Sequence, residues 1–311
     1  MTPRERAITA LELRQPDIVP HFELQMQLTE EYFGKDFVSR KQWEAQPERA
    51  AEFLEHNVRL LIRTADTFDY CIIFYCGFYT PDEATNLEGA RMLRDLDGGR
   101  RLLLMHGDST MGIPSGENMV DVAVAIFEEA DRIKDEQSRA VDQRLEIARK
   151  FFDAGIDGFI LCADYCFNDG PFLSPAKFSE FVTPYLTRLV AGYRQMGAYV
   201  IKHTDGDIMP ILDQLVSANP HGLHSLDPMA GVDIAEVKRL YGDRIALIGN
   251  VNCALLQTGT REQILESCRY ALESGKPGGG YIFSTSNVIF KGMPKETYDL
   301  MLAYYREHCA Y

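Results

Sequence analysis

The chain has 311 residues, 46% of them hydrophobic and 25% charged, a composition that excludes a disordered or fibrous protein. Its formal net charge of -14 excludes a nucleic-acid backbone as its partner. No apolar run reaches the roughly 20 residues of a membrane span, and the first 13 residues lack a secretion signal's apolar core, so a cytoplasmic protein is expected.

A first helix is predicted over 3–14, with Thr2 as N-cap and Pro3 in its first turn. Eight short apolar runs then read as strands, at 18–24, 70–75, 101–106, 156–162, 199–203, 222–226, 245–249 and 281–284. Helical periodicity is clearest at 174–196, 208–218, 234–241, 261–274 and 295–308. Ser174, Asp233 and Thr260 stand at N-cap positions, and Gln263 completes a capping box with Thr260. The strands are apolar on both faces, as expected for burial under helices. Strand alternating with helix eight times predicts a closed (β/α)8 TIM barrel in one domain, 1–311. Two insertions are expected after the second and third strands: a polar connection at 81–99 covering the mouth, and one or two helices within 111–149. Gly278-Gly279-Gly280 precedes a strand and reads as a turn, not a phosphate loop.

In such a barrel the site lies at the carboxyl ends of the strands. The tips in order are Glu23 and Gln25, Tyr75 and Cys76, His106 and Asp108, Asp164 and Asp169, His203 and Asp205, Asp227, Asn250 and Asn252, and Ser284 to Asn287. His203 is the leading candidate, either as a metal ligand or as a proton shuttle whose tautomer a carboxylate sets. Asp205 either joins it on a metal or caps the next helix. Asp164 suits a general acid or a substrate contact. Glu23 and Gln25 alternate onto one face, taken as the inward one, where Glu23 reaches a metal or substrate. Asp227 is an acid or orienting group, and Gln25, Tyr75, Tyr165 and Asn250 are the expected substrate contacts. Tyr70, Phe74, Tyr75, Phe78 and Tyr79, with Tyr165, Phe167 and Phe172, form two aromatic groups fit to wall a flat apolar ligand. Seven cysteines at irregular spacing read as reduced thiols.

Several motifs together resemble the uroporphyrinogen decarboxylase superfamily. They are Gly170-Pro171-Phe172-Leu173-Ser174-Pro175, His203-Thr204-Asp205-Gly206, Asp227-Pro228-Met229-Ala230-Gly231, Ile248-Gly249-Asn250-Val251-Asn252 and Gly278-Gly279-Gly280-Tyr281-Ile282. The resemblance implies the same barrel fold. The decarboxylases of the superfamily carry an arginine-rich stretch that grips a tetrapyrrole bearing eight carboxylates. The matching stretch here, 22–31, has no arginine and is acidic. The other large branch, the cobalamin-dependent methyltransferases, resembles this chain with one departure. Members acting on coenzyme thiols have a cysteine two residues after the histidine and a second one later. This chain has Asp205 at the first position and Ser284-Thr285-Ser286-Asn287 at the last strand.

That departure implies oxygen rather than thiol chemistry, closer to the methyltransferases of O-demethylase systems. The expected activity moves a methyl group from a small methoxylated, aromatic donor to the cobalt of cob(I)alamin, giving methylcobalamin on a separate corrinoid protein docked at the barrel mouth. Zinc is the expected cofactor, on His203, Glu23 and Asp205, with Asp164, His203 and Asp227 in catalytic roles. A decarboxylase of a less charged substrate and a non-catalytic binding barrel are the competing readings.

Overall fold

The computed structural model describes residues 1–76 and 82–311. Nine strands are present among them: β1 (Ile72–Tyr75), β2 (Leu102–His106), β3 (Gly158–Leu161), β4 (Cys166–Phe167), β5 (Gly170–Pro171), β6 (Tyr199–Thr204), β7 (Gly222–Ser225), β8 (Ala246–Val251) and β9 (Tyr281–Thr285). Seven of them form one parallel sheet in the order β1-β2-β3-β6-β7-β8-β9, with helices between successive strands. The two residues each of β4 and β5 make a separate antiparallel hairpin.

The eighth predicted strand, 18–24, is not a regular strand. Pro16 and Pro20 withhold backbone donors, and the segment makes only isolated bridges, His21 to Phe283 and Met26 to Ile289 in parallel and Ile18 to Ala310 antiparallel. It still joins the two edges of the sheet. Cys71 N donates to His21 O at 2.8 Å, and Phe283 N donates to Pro20 O at 2.8 Å. The result is a TIM-barrel-like fold whose first position is filled by irregular chain.

Strand residues alternate between two apolar layers. Ile72, Phe74, Leu102, Leu104, Ile160, Ile201, Ala246, Ile248 and Ile282 pack together in the lumen. Ile73, Tyr75, Leu103, Phe159, Val200, Leu223, Leu247 and Phe283 pack outward with the helices. The first helix, Pro3–Leu11, starts on a capping box between Thr2 and Glu5 and adds Ala7, Ala10 and Leu11 to the lumen cluster.

Two further predicted elements differ, and a third, the insertion at 111–149, is as expected. The expected polar connection at 81–99 is instead the helix Glu83–Asp97, capped by Asp82, which buries only Gly89, Ala90, Leu93 and Asp97. Pro81, the start of that prediction, lies outside the described residues, as do Phe78 and Tyr79. The single helix expected at 174–196 is two, Pro175–Phe181 and Thr183–Gln195, because Pro184 starts a new helix after the kink at Val182. The region 111–149 holds two helices, Met119–Glu128 and Ala130–Asp153. Among the described residues, no helix is long and apolar enough to cross a membrane.

Candidate active site at the barrel mouth

The carboxyl ends of β3, β6, β7, β8 and β9 bring polar side chains together above the apolar lumen. On β6, Ile201 and His203 face the lumen while Lys202 turns out, as period-two alternation requires. In parallel register, His203 pairs with His224 on β7. Their Nδ1 atoms lie 2.7 Å apart. His224 Nε2 is 3.3 Å from Ser284 Oγ, and Ser284 Oγ donates to Glu23 Oε2 at 3.2 Å. All four residues are buried. Burial pushes His203 down to about 3, helped by the positive charge of Lys202, and holds His224 well below the imidazole range. Both rings are therefore neutral at physiological pH, the form that ligates metals.

Beyond His203 the chain turns at Asp205-Gly206. Gly206 has a positive φ of 84°, and a Cβ there would collide with the carbonyl oxygens of Cys166 and Phe167 in the β4–β5 hairpin. Glycine thus lets the hairpin sit against the turn that aims Asp205. Ser225 Oγ donates to Asp205 Oδ1 at 2.6 Å, and Asn287 Nδ2 donates to Oδ2 at 2.5 Å. Asp205 N donates to Asp164 Oδ1 at 3.1 Å. His203 Nε2 stands 3.9 Å from Asp205 Oδ1. Ligand atoms of Asp164, His203 and Asp205 lie within 4.8 Å of one another, the one such cluster among the described residues. Burial, together with the nearby Asp164 and Asp227, raises the Asp205 carboxyl to about 7 against the lowering effect of the Ser225 hydrogen bond.

Other predicted site residues are placed differently. Glu23 does not join His203 and Asp205, because the irregular segment puts Phe22 and Leu24, not Glu23, into the lumen cluster. The Glu23 carboxyl is instead taken up by Ser284, Thr285 N and Thr285 Oγ1. Gln25, with Glu23, lines a cleft against Leu61, Thr64 and Ala65, and its Nε2 approaches Cys76 Sγ at 3.9 Å. Tyr75 points outward under the helix Glu83–Asp97, donating to Asn86 O and lying against Gly89. Tyr165 also faces outward, with its hydroxyl 2.6 Å from Thr110 Oγ1 and its ring against Phe178. Asn250 is at the mouth, but its amide donates to Leu226 O at 2.8 Å. Asp227 caps the turn Pro228–Ala230 through Met229 N, and its other oxygen accepts from Gly206 N at 3.4 Å.

His224, Ser225, Ser284 and Asn287 complete the site; Ser284 and Asn287 stand in the strand tip named from the sequence, where they were given no role, and His224 and Ser225 were not named there. The sequence holds no signal for His224, because its place beside His203 follows from the pairing register of β6 and β7.

Burial, with no ion partner among the described residues, makes Glu23 a marked pH-sensitive group, its carboxyl raised to about 8. A raised folded-state value means stability is complete below the unfolded value near 4.5 and is lost as pH rises through about 8. Denaturant unfolding between pH 5 and pH 8 is expected to show a loss of up to about 4 kcal/mol from this group. Glu23→Gln should flatten that slope; an unchanged slope would assign it elsewhere.

The profile of the uroporphyrinogen decarboxylase family (URO-D) matches residues 115–308, from the loop after β2 through the last helix. The chain belongs to this family. Among its relatives is the uroporphyrinogen decarboxylase of Aromatoleum aromaticum, 29% identical over 150 residues, covering 45% of this chain and 39% of the relative. Another is the methylcobamide:CoM methyltransferase MtaA of Methanosarcina barkeri, 28% identical over 137 residues, covering 44% of this chain and 38% of that one. The matches thus span about two fifths of these curated relatives. A methyltransferase structure from Methanosarcina mazei superposes with a TM-score of 0.76 over 99% of both chains at 17% identity, which establishes the shared fold. The family thus includes relatives named for decarboxylation and for methyl transfer.

Proposed function

We propose that this chain is a methyltransferase that moves a methyl group from a small methoxylated aromatic compound to the cobalt of a corrinoid carried by a separate protein. The observation that carries this reading is the convergence of Asp164, His203 and Asp205 at the barrel mouth. Of the ion pairs among the described residues, none joins Asp164 or Asp227 to a cation, and Asp205 meets only the neutral His203 at 3.9 Å. Clustered carboxylates beside a neutral imidazole fit a divalent cation with nitrogen and oxygen ligands, zinc among them. The same charges would repel a polyanionic tetrapyrrole, and the acidic, arginine-free segment 22–31 adds to that repulsion.

Methyl transfer from an ether is an in-line displacement at carbon. The reduced cobalt supplies the electron pair of the new bond, and the carbon–oxygen pair leaves on the donor's oxygen. When bound, zinc would act as a Lewis acid on that oxygen and stabilise the leaving phenolate. His203, Asp164 and Asp205 would hold it. Ser225 and Asn287 fix both Asp205 oxygens, so the carboxylate is oriented before a substrate arrives. The exposed Phe167 and its edge-on neighbour Phe172, 6.4 Å between ring centroids, offer the donor ring an apolar wall beside the turn at Gly206.

The test combines zinc-reconstituted protein, free cob(I)alamin and a panel of methoxylated aromatics, and follows methylcobalamin formation spectrophotometrically. Donor-dependent formation is expected. Carbon dioxide release from carboxylated substrates, with no methyl-cobalt formed from any donor, would replace this reading with a decarboxylase.

A further inference from the structure

We propose that His224 and Ser284 are positioning residues that lock His203 in the tautomer whose Nε2 lone pair faces the mouth. This rests on the reading of Asp164, His203 and Asp205 as a cation site. The direction of each hydrogen bond follows from what its end groups can do. Glu23 lies at one end, and Ser284 Oγ donates to its Oε2. An ionised Glu23 only accepts. A protonated Glu23 gives its proton to the nearer Thr285 Oγ1, at 2.5 Å, and leaves Ser284 facing an oxygen lone pair.

With its own proton spent on Glu23, Ser284 Oγ accepts from His224 Nε2 across 3.3 Å. His224 therefore carries its proton on Nε2, and its Nδ1 is an acceptor. The 2.7 Å contact then requires His203 to donate from Nδ1. What remains on His203 is a bare Nε2, the atom 3.9 Å from Asp205 Oδ1. Reversing the contact between the two histidines would put the hydrogen on His203 Nε2 and close the site to a cation.

The chain of contacts also holds the ring's orientation. His203 and His224 are paired in register on adjacent strands, and Phe22 packs edge-on to His224 with centroids 5.9 Å apart. Partners that hold a ligating histidine's second nitrogen typically change metal affinity about 10- to 100-fold when removed. Here that partner is a second histidine, itself set by a hydroxyl and a buried carboxyl.

The test reads the ring and the metal separately. In metal-free protein, imidazole nitrogen NMR shifts, assigned by comparison with His203→Gln, are expected to show Nδ1 protonated and Nε2 bare. Zinc affinity, measured by competition with a chromophoric chelator, is expected to fall about 10- to 100-fold in His224→Phe. It should recover in His224→Gln, whose amide oxygen can accept from His203 and whose amide NH₂ can donate to Ser284. A proton on His203 Nε2 in the wild type would overturn the proposal, and that spectrum decides even if His224→Phe fails to fold. So would a folded His224→Phe that binds zinc as tightly as the wild type. A wild type that binds no zinc would overturn the cation reading itself, a failure kept distinct because the ring's proton is read without metal.

Discussion

His203→Ala is expected to abolish stoichiometric zinc binding and to slow methyl transfer by about 10²- to 10³-fold. The imidazole is the only neutral ligand in the cluster with Asp164 and Asp205, and it is the one on a regular strand. Removing it leaves two carboxylates, one of them exposed, which hold a cation far less tightly than a preformed three-ligand site. Losing Lewis-acid help with a phenolate leaving group is worth several kcal/mol, which is the source of that rate factor. Substrate affinity should change much less than turnover, because the assistance matters most where charge develops on oxygen. Thermal unfolding of the variant guards against a trivial cause. A variant that keeps full zinc occupancy and more than about a tenth of the turnover would remove His203 from the site.

Lys202→Met should cost about 3–5 kcal/mol of stability, the range for removing one member of a buried ion pair. Lys202 is fully buried, and its Nζ donates to Asp108 Oδ2 at 3.0 Å and to the carbonyls of Ala163 at 2.7 Å and Leu161 at 3.3 Å. The ammonium also lies 4.1 Å from the centre of the Tyr165 ring. Loss of the lysine leaves the Asp108 carboxylate buried with only Thr110 and the Ala163 amide as donors. It also frees the strand–loop junction that carries Asp164, so the site should loosen with the fold. Lys202→Met combined with Asp108→Asn should recover part of the loss, since no lone charge then remains. Urea unfolding of the two variants is the measurement. A loss below about 1 kcal/mol in Lys202→Met would mean the pair is not desolvated as described.

The same pair shows in the acid limb of the stability curve. Lys202 and the Thr110 and Ala163 hydrogen bonds outweigh burial and hold Asp108 down to about 2. A depressed folded value gives stability that is present above the unfolded value near 3.8 and is lost as pH falls towards 2. Glu23 acts in the opposite sense at higher pH, so both limbs trace to buried carboxyl groups, one paired and one not.

The barrel was legible because each strand is a short apolar run ending in polar residues, and parallel burial leaves few alternatives. Segment 18–24 has the same composition, but its prolines and isolated bridges deny it a ladder, and hydropathy carries no trace of that. The irregular path then inverts the side-chain parity, sending Phe22 and Leu24 inward and Glu23 away from the cluster. Parity also explains Tyr75 and Tyr165. Both stand near strand tips in sequence, yet each faces the helix layer. The helix Glu83–Asp97 was hidden by its polar surface, since a helix resting on four buried residues shows almost no apolar stripe. His203, Asp205 and Asp164 were legible because a strand tip followed by a tight turn leaves a side chain few directions. His224 was not, because its meaning lies in register with a neighbouring strand, and register is a tertiary property.

The proposed site holds a cation by nitrogen and oxygen, with Asp205 where the resemblance to thiol-acting methyltransferases implies a cysteine. X-ray absorption spectroscopy of the zinc-reconstituted protein tests it most directly. The predicted result is one zinc per chain with an imidazole and carboxylate oxygens and no sulfur in the coordination shell. A zinc–sulfur distance of about 2.3 Å, which would bring in Cys166 or Cys253, or a protein that takes up no stoichiometric zinc, would contradict it.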